Sequence, residues 1–278
     1  MARRIPRQPV ARQHRYDRRV RRQSLAAGCI GIATALLAQP LVAASDCMPV
    51  TVETRSIGGR IVERIYGDPT TIEFQAGMMI DADGALRAYH PDDVSGLDDL
   101  AHAGAPGNWW GIVTADGTPG GTPLVQGAGD PAPGFYVSQT SLEDEARDAS
   151  DPRRYVDSLA VPYLALQEVF ATDFGCKLGD FAFATREALD GSRHASAAIF
   201  ADVAAPQLPV GEGSIALAER LGIPSSPRHG GTFRASVHYV LFCGSGNGRP
   251  RSVAEIDAQG ARLSAARRAR DAAACPRR

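Results

Sequence analysis

Basic residues are scarce in the central part of this sequence. Residues 45–250 contain 14 basic and 27 acidic side chains, although the whole chain of 278 residues is nearly balanced, with a net charge of −1. An acidic surface repels the phosphate backbone of nucleic acids and attracts polycations. We therefore expect a polycationic partner and no nucleic acid. The alternative is that the charge serves only to keep the protein soluble.

Motifs for common metal, phosphate and serine chemistry are also missing. No Cys-x-x-Cys or mixed His/Cys spacing suggests zinc, and the six histidines show no metal spacing. His90 and His229, in expected loops, are the two histidines that merit testing. The Gly-rich run 244–248 lacks the Lys of a phosphate loop, and no Ser has Gly-x-Ser-x-Gly flanks. The sequence thus predicts no metal and no cofactor.

The first 44 residues are typical of an export signal. A basic region ends at Arg21-Arg22, an apolar stretch covers residues 25–37, and small residues at 42–44 offer a cleavage site. The apolar stretch is short for a membrane span, so we expect cleavage, with an uncleaved anchor as the alternative. The mature protein is predicted to be secreted or periplasmic and monomeric, without stable membrane association.

Four cysteines follow the signal peptide, and an even number in an exported chain indicates disulfides. They are Cys47, Cys176, Cys243 and Cys275. Four cysteines allow three connectivities. Our preferred pairing joins Cys47 to Cys275 and Cys176 to Cys243.

The pattern of short alternating segments predicts a mainly β fold. Residues 49–80 alternate apolar and polar positions, and residues 134–138, 161–166 and 180–203 contain further strand-like runs. We expect one barrel-like domain over 45–250, with a short helix after Gly-Glu-Gly-Ser at 211–214. A Ser-Val-Ala-Glu capping box at 252–255 predicts a C-terminal helix to about Ala274. This basic segment, 251–278, is rich in Arg and Ala and is expected to dock weakly.

Both tryptophans of the chain, Trp109 and Trp110, lie side by side on a Gly-rich turn. Tyr89, Phe135 and Tyr136 flank them in sequence, and Asn108 precedes them. Aromatic faces on rigid turns suit the C–H surface of a pyranose ring, so we expect a sugar-stacking platform. The alternative is that two adjacent indoles are simply large core residues.

Two acidic residues suggest hydrolytic chemistry. Asp202 ends an apolar strand, where burial raises the pKa of a carboxyl group. Glu212 lies two residues before the Ser214 helix cap, where the helix N-terminus favours the ionised form. One neutral and one ionised carboxyl group is what glycosidases need. We therefore predict Asp202 as the general acid and Glu212 as the general base, with the reverse order left open.

Two further acidic pairs are ambiguous. Asp81 and Asp83, in Asp-Ala-Asp-Gly, could hold calcium but lack the remaining ligands of a calcium loop; a hairpin turn is the preferred interpretation. Asp92 and Asp93 could line an acidic groove or simply face water.

Taken together, these motifs resemble the chitosanases of glycoside hydrolase family 75. The resemblance covers roughly residues 74–245. It lies in the following strings: D-A-D-G, Y-H-P-D-D, G-A-P-G-N-W-W-G-I-V-T, V-Q-G-A-G-D-P-A-P-G-F-Y-V-S, A-D-V, G-E-G-S-I-A-L-A and Y-V-L-F-C-G-S-G.

The resemblance implies endo-hydrolysis of β-1,4-linked glucosamine polymers by inversion, with the catalytic Asp and Glu at Asp202 and Glu212. It departs at one place, because Ala201 and Ala204 stand where the family has Gly around the Asp, which could crowd the site. A hydrolase of cell-wall glycans and a non-catalytic module that binds amino-sugar polymers are the alternatives.

Overall fold

Alternation of apolar and polar residues builds the strands of this protein. The structure is a computed structural model that describes residues 51–65 and 71–274. In the strand Thr71–Asp81, the side chains of Ile72, Phe74, Ala76, Met78 and Ile80 enter the largest apolar cluster. The residues between them, from Glu73 to Asp81, therefore point to the other side of the strand.

The elements follow one another in mainly β order. The strands are β1 (Thr51–Ile57), β2 (Arg60–Ile65), β3 (Thr71–Asp81), β4 (Gly104–Ala105), β5 (Asn108–Trp109), β6 (Tyr163–Gln167), β7 (Phe181–Glu187), β8 (Arg193–Ala204), β9 (Glu212–Ser214) and β10 (Thr232–Phe242). The helices are α1 (Leu100–Ala103), α2 (Val169–Thr172), α3 (Ile215–Arg220) and α4 (Val253–Ala274), with a 3-10 turn at Pro152–Arg154.

Six of the strands close into a barrel, which confirms the predicted fold class. Around the barrel the order is β3, β10, β7, β8, β6 and β9, and β9 pairs back onto β3. The β6–β8 and β3–β9 pairs are parallel, and the other four are antiparallel. The hairpin of β1 and β2 extends the sheet from β3. The short helix after residues 211–214 is α3, in which Ser214 Oγ accepts a hydrogen bond from the Leu217 amide.

Helix α4 packs closely against the barrel, contrary to the expectation of weak docking. Its capping box forms as predicted, with Ser252 and Glu255 exchanging hydrogen bonds. Ile256 is fully buried in a second apolar cluster with Phe181 and Ile199. A Cβ on Gly260 would lie 2.4 Å from the Ala197 Cβ, so this glycine permits the close approach. One face of this Ala-rich helix is therefore well packed against the barrel.

Other predictions have mixed outcomes. The disulfide between Cys176 and Cys243 is present, whereas Cys47, Cys275 and the export signal lie outside the described residues. Residues 134–138 do not form a continuous strand, because only isolated bridges reach them. Within residues 51–65 and 71–274, no helix combines the length and apolar character that a bilayer crossing requires.

Candidate active site

A β-bulge brings Asp202 and Glu212 to the same side of the sheet. Leu164 pairs with Phe200 but Ala165 pairs with Asp202, so Ala201 is an extra residue in β8. Ala165 also pairs with Glu212 on β9. Both acids are therefore register partners of one alanine and share its side of the sheet. Two strand spacings place their Cα atoms about 10 Å apart.

Two more carboxyl groups join this pair from the end of β3. One oxygen each of Asp81, Asp83 and Asp202 lies within 4.8 Å of the others. Asp81 and Asp202 are each only 8% exposed, while Asp83 and Glu212 are half-buried and reach the surface. A turn does form at Asp-Ala-Asp-Gly, but it is not the predicted hairpin turn, because β3 pairs with β2, β9 and β10 and not with the next strand, β4. Both acids of this turn belong to the site. We call Asp81, Asp83, Asp202 and Glu212 the acid cluster.

The long segment 82–162 between β3 and β6 fixes the cluster. Asp202 Oδ1 accepts hydrogen bonds from the Ser141 amide (2.9 Å), the Ser141 hydroxyl (2.6 Å) and the Val203 amide (2.8 Å). The Tyr89 hydroxyl donates to Asp83 Oδ1 at 2.7 Å, and Asp81 Oδ1 accepts from the Asp83 amide. The segment therefore supplies the donors that orient three of the four acids.

Glu212 differs from the other three acids in its environment. Within the part of the chain that the structure describes, no hydrogen bond or ion pair reaches its carboxyl group. Burial, followed by the negative charges of Asp81 and Asp202, raises the pKa of Glu212 well above its usual value. Glu212 is therefore the acid best suited to carry a proton at neutral pH.

This protonation is the reverse of the expectation from the helix cap. Glu212 is the first residue of β9 and pairs with Met79, so its backbone belongs to the sheet and not to a helix terminus. Helix α3 is also only six residues long. For Asp202, burial raises the pKa above its usual value, and the hydrogen bonds from Ser141 and Val203 limit this rise without cancelling it. The geometry thus favours Asp202 as the ionised partner.

Asp81 and Asp83 also hold protons more tightly than isolated aspartates do. Burial and then the charge of Asp202 raise the pKa of Asp81 to about 7. Burial, then the charges of Asp81 and Asp202, raise the pKa of Asp83 well above its usual range. The four acids therefore titrate as one coupled group.

The two tryptophans have different roles in the fold, which corrects the expected tandem platform. Trp109 is 8% exposed and belongs to the main apolar cluster, as does Tyr89 at 1%. Trp110 is 56% exposed, and its indole N–H donates to the His102 carbonyl at 2.9 Å. Only Trp110 of these three is exposed enough to offer a stacking face.

Gly111, the residue after Trp110, lies against the acid cluster. A Cβ at this position would lie 2.9 Å from Asp83 Oδ1 and 3.0 Å from the Ala103 Cα, so only glycine fits there. Ser138, whose hydroxyl lies 3.3 Å from Asp83 Oδ1, is also 3.1 Å from the Gly111 carbonyl oxygen. Gly111, which follows Trp110 in the sequence, therefore packs directly against the Asp83 carboxyl group.

The remaining predicted binding residues serve mainly local structure. Asp92 caps its own turn by accepting from the Val94 and Ser95 amides, and its pKa is lowered by these bonds. Asp93, at φ 56°, accepts from the Leu100 amide at 2.6 Å. Asn108 is exposed on β5, and Tyr136 is half-buried with its ring 6.4 Å from that of Trp109.

The histidine closest to the site is one that sequence reasoning missed. His102 Nδ1 lies 2.8 Å from Oδ1 of the buried Asp98, and this hydrogen bond raises the pKa of His102. The charge of Asp98 also contributes to the raised pKa of Glu212. By contrast, His90 pairs with the exposed Asp92. His229 is exposed. His102 lies four residues after Asp98, a spacing at which side chains on a helical turn can meet, so this pair was a signal present in the sequence.

The spacing of Asp81, Asp83 and Asp202 would allow one cation to contact all three. A metal ion or an ammonium group could do so. Calcium prefers six to eight oxygen ligands, and three carboxylates with few further oxygens supply an incomplete set. Asp98, Asp99 and His102 form a second close group, already joined by the hydrogen bond to His102.

Neither a protein-family model nor a curated protein sequence matches this chain. The resemblance to family 75 chitosanases therefore stays a prediction.

Proposed function

We propose that the protein is an endo-acting glycoside hydrolase that cleaves β-1,4 linkages in chitosan or a related amino-sugar polymer. The observation that carries this proposal is the placement of Asp202 and Glu212 on either side of Ala165, on one side of the sheet. Their Cα atoms are about 10 Å apart. We assign the inverting mechanism, in which the two carboxyl groups stand roughly 6.5–9.5 Å apart, from the resemblance to family 75. Retaining enzymes bring the two groups to about 5 Å.

The two acids have distinct roles in this mechanism. Glu212, half-buried and protonated, donates its proton to the glycosidic oxygen as the C1–O bond breaks. Asp202 accepts a proton from a water molecule, whose oxygen bonds to C1 from the opposite face. One water is consumed, and the proton on Asp202 returns to Glu212 through solvent. The three hydrogen bonds to Asp202 Oδ1 leave its other oxygen free for that water.

The proposed substrate follows from charge and from Trp110. The body of the chain is acidic, and a partly protonated glucosamine polymer is cationic. Trp110 provides an exposed aromatic face, and the next residue, Gly111, packs against Asp83 of the acid cluster. Ala201 packs with the second apolar cluster and is fully buried, so its methyl group does not occupy the space in front of Asp202. The Ala at position 201 is thus compatible with activity.

The test is incubation of the purified protein with glucosamine oligomers of defined length, with the product anomers followed by NMR. The proposal predicts internal cleavage with inverted configuration at the new reducing end. Retention of configuration would contradict the assigned roles. The absence of cleavage, combined with binding of the oligomers, would favour a non-catalytic binding module.

A parallel incubation separates the remaining alternative. Reducing ends released from fully deacetylated chitosan, chitin and peptidoglycan are compared under the same conditions. The proposal predicts that deacetylated chitosan is cleaved fastest. Faster cleavage of peptidoglycan would instead identify a cell-wall glycan hydrolase.

A further inference from the structure

Within the described ranges, Gln167 at the end of β6 carries a buried side-chain oxygen that receives no hydrogen bond. The residue is only 3% exposed, so water does not reach this oxygen from the surface. A buried carbonyl oxygen without a donor is costly and rare in folded proteins. Gln167 Oε1 therefore calls for a partner close to it.

The amide group of Gln167 is held in one orientation. Its Nε2 donates to the Leu208 and Pro209 carbonyl oxygens at 3.2 and 3.4 Å. Both of these residues belong to the loop 205–211, which joins β8 to β9. Turning the amide over would set Oε1 against two carbonyl oxygens, which cannot donate a hydrogen bond. The nitrogen is therefore committed to the loop, and the oxygen is left to meet another donor.

The register places Gln167 on the same side of the sheet as the two proposed catalytic acids. Leu166 enters the main apolar cluster, so its neighbours Ala165 and Gln167 face the other side. Ala165 is the register partner of Asp202 and of Glu212. Gln167, two residues further on, is therefore a diagonal neighbour of both acids. In the antiparallel pair of β6 and β9, diagonal neighbours lie about 7–8 Å apart, a distance that long side chains can bridge.

Glu212 is the acid that can supply the missing donor. A carbonyl oxygen only accepts hydrogen bonds, so its partner must carry a proton. Asp202 Oδ1 already receives three hydrogen bonds, and the geometry favours the ionised form of this acid. In the described part of the chain no hydrogen bond holds the Glu212 carboxyl group, so its side chain can turn towards Gln167.

We infer that Gln167 Oε1 accepts a hydrogen bond from the protonated Glu212 carboxyl group and holds this acid ready until substrate binds. The inference rests on the proposed function, in which Glu212 is the general acid. On binding, the glycosidic oxygen replaces Oε1 as the acceptor. The proton then passes to the glycosidic oxygen, which keeps the electron pair of the breaking C1–O bond. Gln167 is thus a positioning residue, since it acts through Glu212.

This hydrogen bond raises the proton affinity of Glu212, because it forms only with the neutral carboxyl group. Among the described residues, the charged groups that act on Glu212 are acids, which favour the same state: Asp81 on β3, Asp202 on β8, and Asp83 and Asp98 in the segment 82–162. These acids remain when Gln167 is changed. The contribution of Gln167 is therefore measurable as a difference between variants.

The test is a titration of the Glu212 side-chain carboxyl group by ¹³C NMR, without substrate, in wild type and in Gln167→Met. The resonance is assigned by its loss in Glu212→Gln. Methionine is a flexible, unbranched side chain that fills the space but offers no amide oxygen. Gln167→Met is expected to lower the pKa of Glu212 by about one pH unit, a tenfold loss of proton affinity. An unchanged or raised pKa would overturn the inference.

Two further variants separate the hydrogen bond from the loop that Gln167 also contacts. Pro206→Gly loosens the loop at an exposed position and keeps Oε1, so it should leave the pKa of Glu212 unchanged. An equal fall of the pKa in this variant would assign the effect to the loop and refute the pairing. Gln167→Asn keeps the amide but is one methylene group shorter, so it should lower the pKa as Gln167→Met does. If Gln167→Met does not fold, an unchanged pKa in Gln167→Asn would overturn the inference.

Kinetics give a second readout that a merely structural role would not produce. The pH dependence of kcat/KM reports the free enzyme, and that of kcat reports the complex with substrate. Gln167→Met should move the alkaline limb of kcat/KM on glucosamine oligomers to lower pH by about one pH unit and move that of kcat less. An equal loss of activity at every pH would indicate a structural role and contradict the inference.

The outcome is separable from that of the proposed function. If the wild-type protein cleaves glucosamine oligomers but the pKa of Glu212 does not respond to Gln167→Met, only the inference about Gln167 fails. If the protein cleaves no oligomer, the hydrolytic proposal fails, and the NMR titration still decides whether Gln167 and Glu212 are paired.

Discussion

Strand β3 carries two nearly buried carboxyl groups on one side, Glu73 near its start and Asp81 at its end. The two groups differ in the charges of the side chains around them. Glu73 meets His238 at 2.9 Å and Arg267 of helix α4 at 2.5 Å. Burial would raise the pKa of Glu73, but these partners together lower it. For Asp81, burial and then the negative charges of Asp202 and Asp98 outweigh its hydrogen bonds from the Asp83 amide and Tyr163, and its pKa is raised to about 7.

The contrast separates a structural acid from a functional one. Glu73 contributes to stability because its charge is matched, and it ties helix α4 to the barrel. The acid cluster has unmatched charge, which lowers stability at neutral pH. Perturbed carboxyl groups without partners are typical of sites that act on a ligand. The same strand thus serves the fold at one end and the candidate site at the other.

The largest expected effect is the loss of activity on changing the acid cluster. Glu212→Gln and Asp202→Asn should each lower kcat on glucosamine oligomers by about 10² to 10⁴-fold, because each removes a proton donor or acceptor. Glu73→Gln, in the paired region, should keep activity within a factor of two when assayed well below its unfolding temperature. Retention of more than a tenth of the activity by both cluster variants would contradict the assignment.

The next effect is a change in how stability depends on pH. Because the folded-state pKa of Asp81 is raised from 3.8 to about 7, the folded state holds a proton that the unfolded chain releases. Stability should therefore fall as the pH rises from about 4 to 7, by up to about 4 kcal/mol shared within the coupled cluster. Asp81→Asn cannot ionise, so it should be about 2 kcal/mol more stable than wild type at pH 8 and similar to it at pH 4.

Urea unfolding at the two pH values checks this expectation. Glu73→Gln is the control, because it should lose stability at pH 8. An Asp81→Asn variant that is less stable than wild type at pH 8 would mean that the cluster does not carry unmatched charge.

A smaller change in stability, of opposite sign, is expected when the ion pair between Glu73 and Arg267 is broken. Removing the charge with Arg267→Ala should destabilise the protein by about 2 kcal/mol at pH 8, less than for a fully buried pair because Arg267 is 17% exposed. The lowered pKa of Glu73 gives stability that is present above the usual pKa of 4.5 and is lost as the pH falls. The Arg267→Ala effect should therefore shrink at pH 3.5. Arg267→Lys, which keeps the charge, should recover part of the loss, and a pH-independent loss would indicate packing alone.

The smallest effect distinguishes binding from folding at Trp110. Trp110→Ala should change the free energy of unfolding by less than about 0.5 kcal/mol, because the side chain is exposed. It should raise KM for glucosamine oligomers about fivefold through loss of stacking, which is worth about 1 kcal/mol. Leu189→Ala, which removes another exposed apolar side chain, should change neither quantity. An unchanged KM in Trp110→Ala would remove the indole from the site.

Local pattern predicted much of the fold. The patterns over residues 49–80, 161–166 and 180–203 predicted β1, β2, β3, β6, β7 and β8, and the caps at Ser214 and Ser252 predicted α3 and α4. Strand β9 was not predicted, because its residues were interpreted as part of the cap of α3. The docking of α4 was not predicted, because the close contact of Gly260 with Ala197 depends on the shape of the opposing strand.

The site was predicted in part. Asp202 and Glu212 were named as a pair, and they do share one side of the sheet. Asp81 and Asp83 were interpreted as a turn, because only strand pairing brings them to Asp202 from more than a hundred residues away. The burial of Trp109 likewise depends on tertiary contacts, whereas the pairing of His102 with Asp98, four residues before it, was present in the sequence as a local spacing. The pKa of Glu212 was expected in the wrong direction, since a local cap was weighed without its three acidic neighbours.

The most direct test of the account is a carboxyl titration of Asp81 and Glu73 in the same sample. Their side-chain ¹³C resonances can be followed against pH by NMR. The account predicts that Asp81 titrates near pH 7 and Glu73 below its usual 4.5. An Asp81 that titrates at or below its ordinary 3.8 would show that the cluster is charge-matched, and the contrast on which the functional proposal depends would be lost.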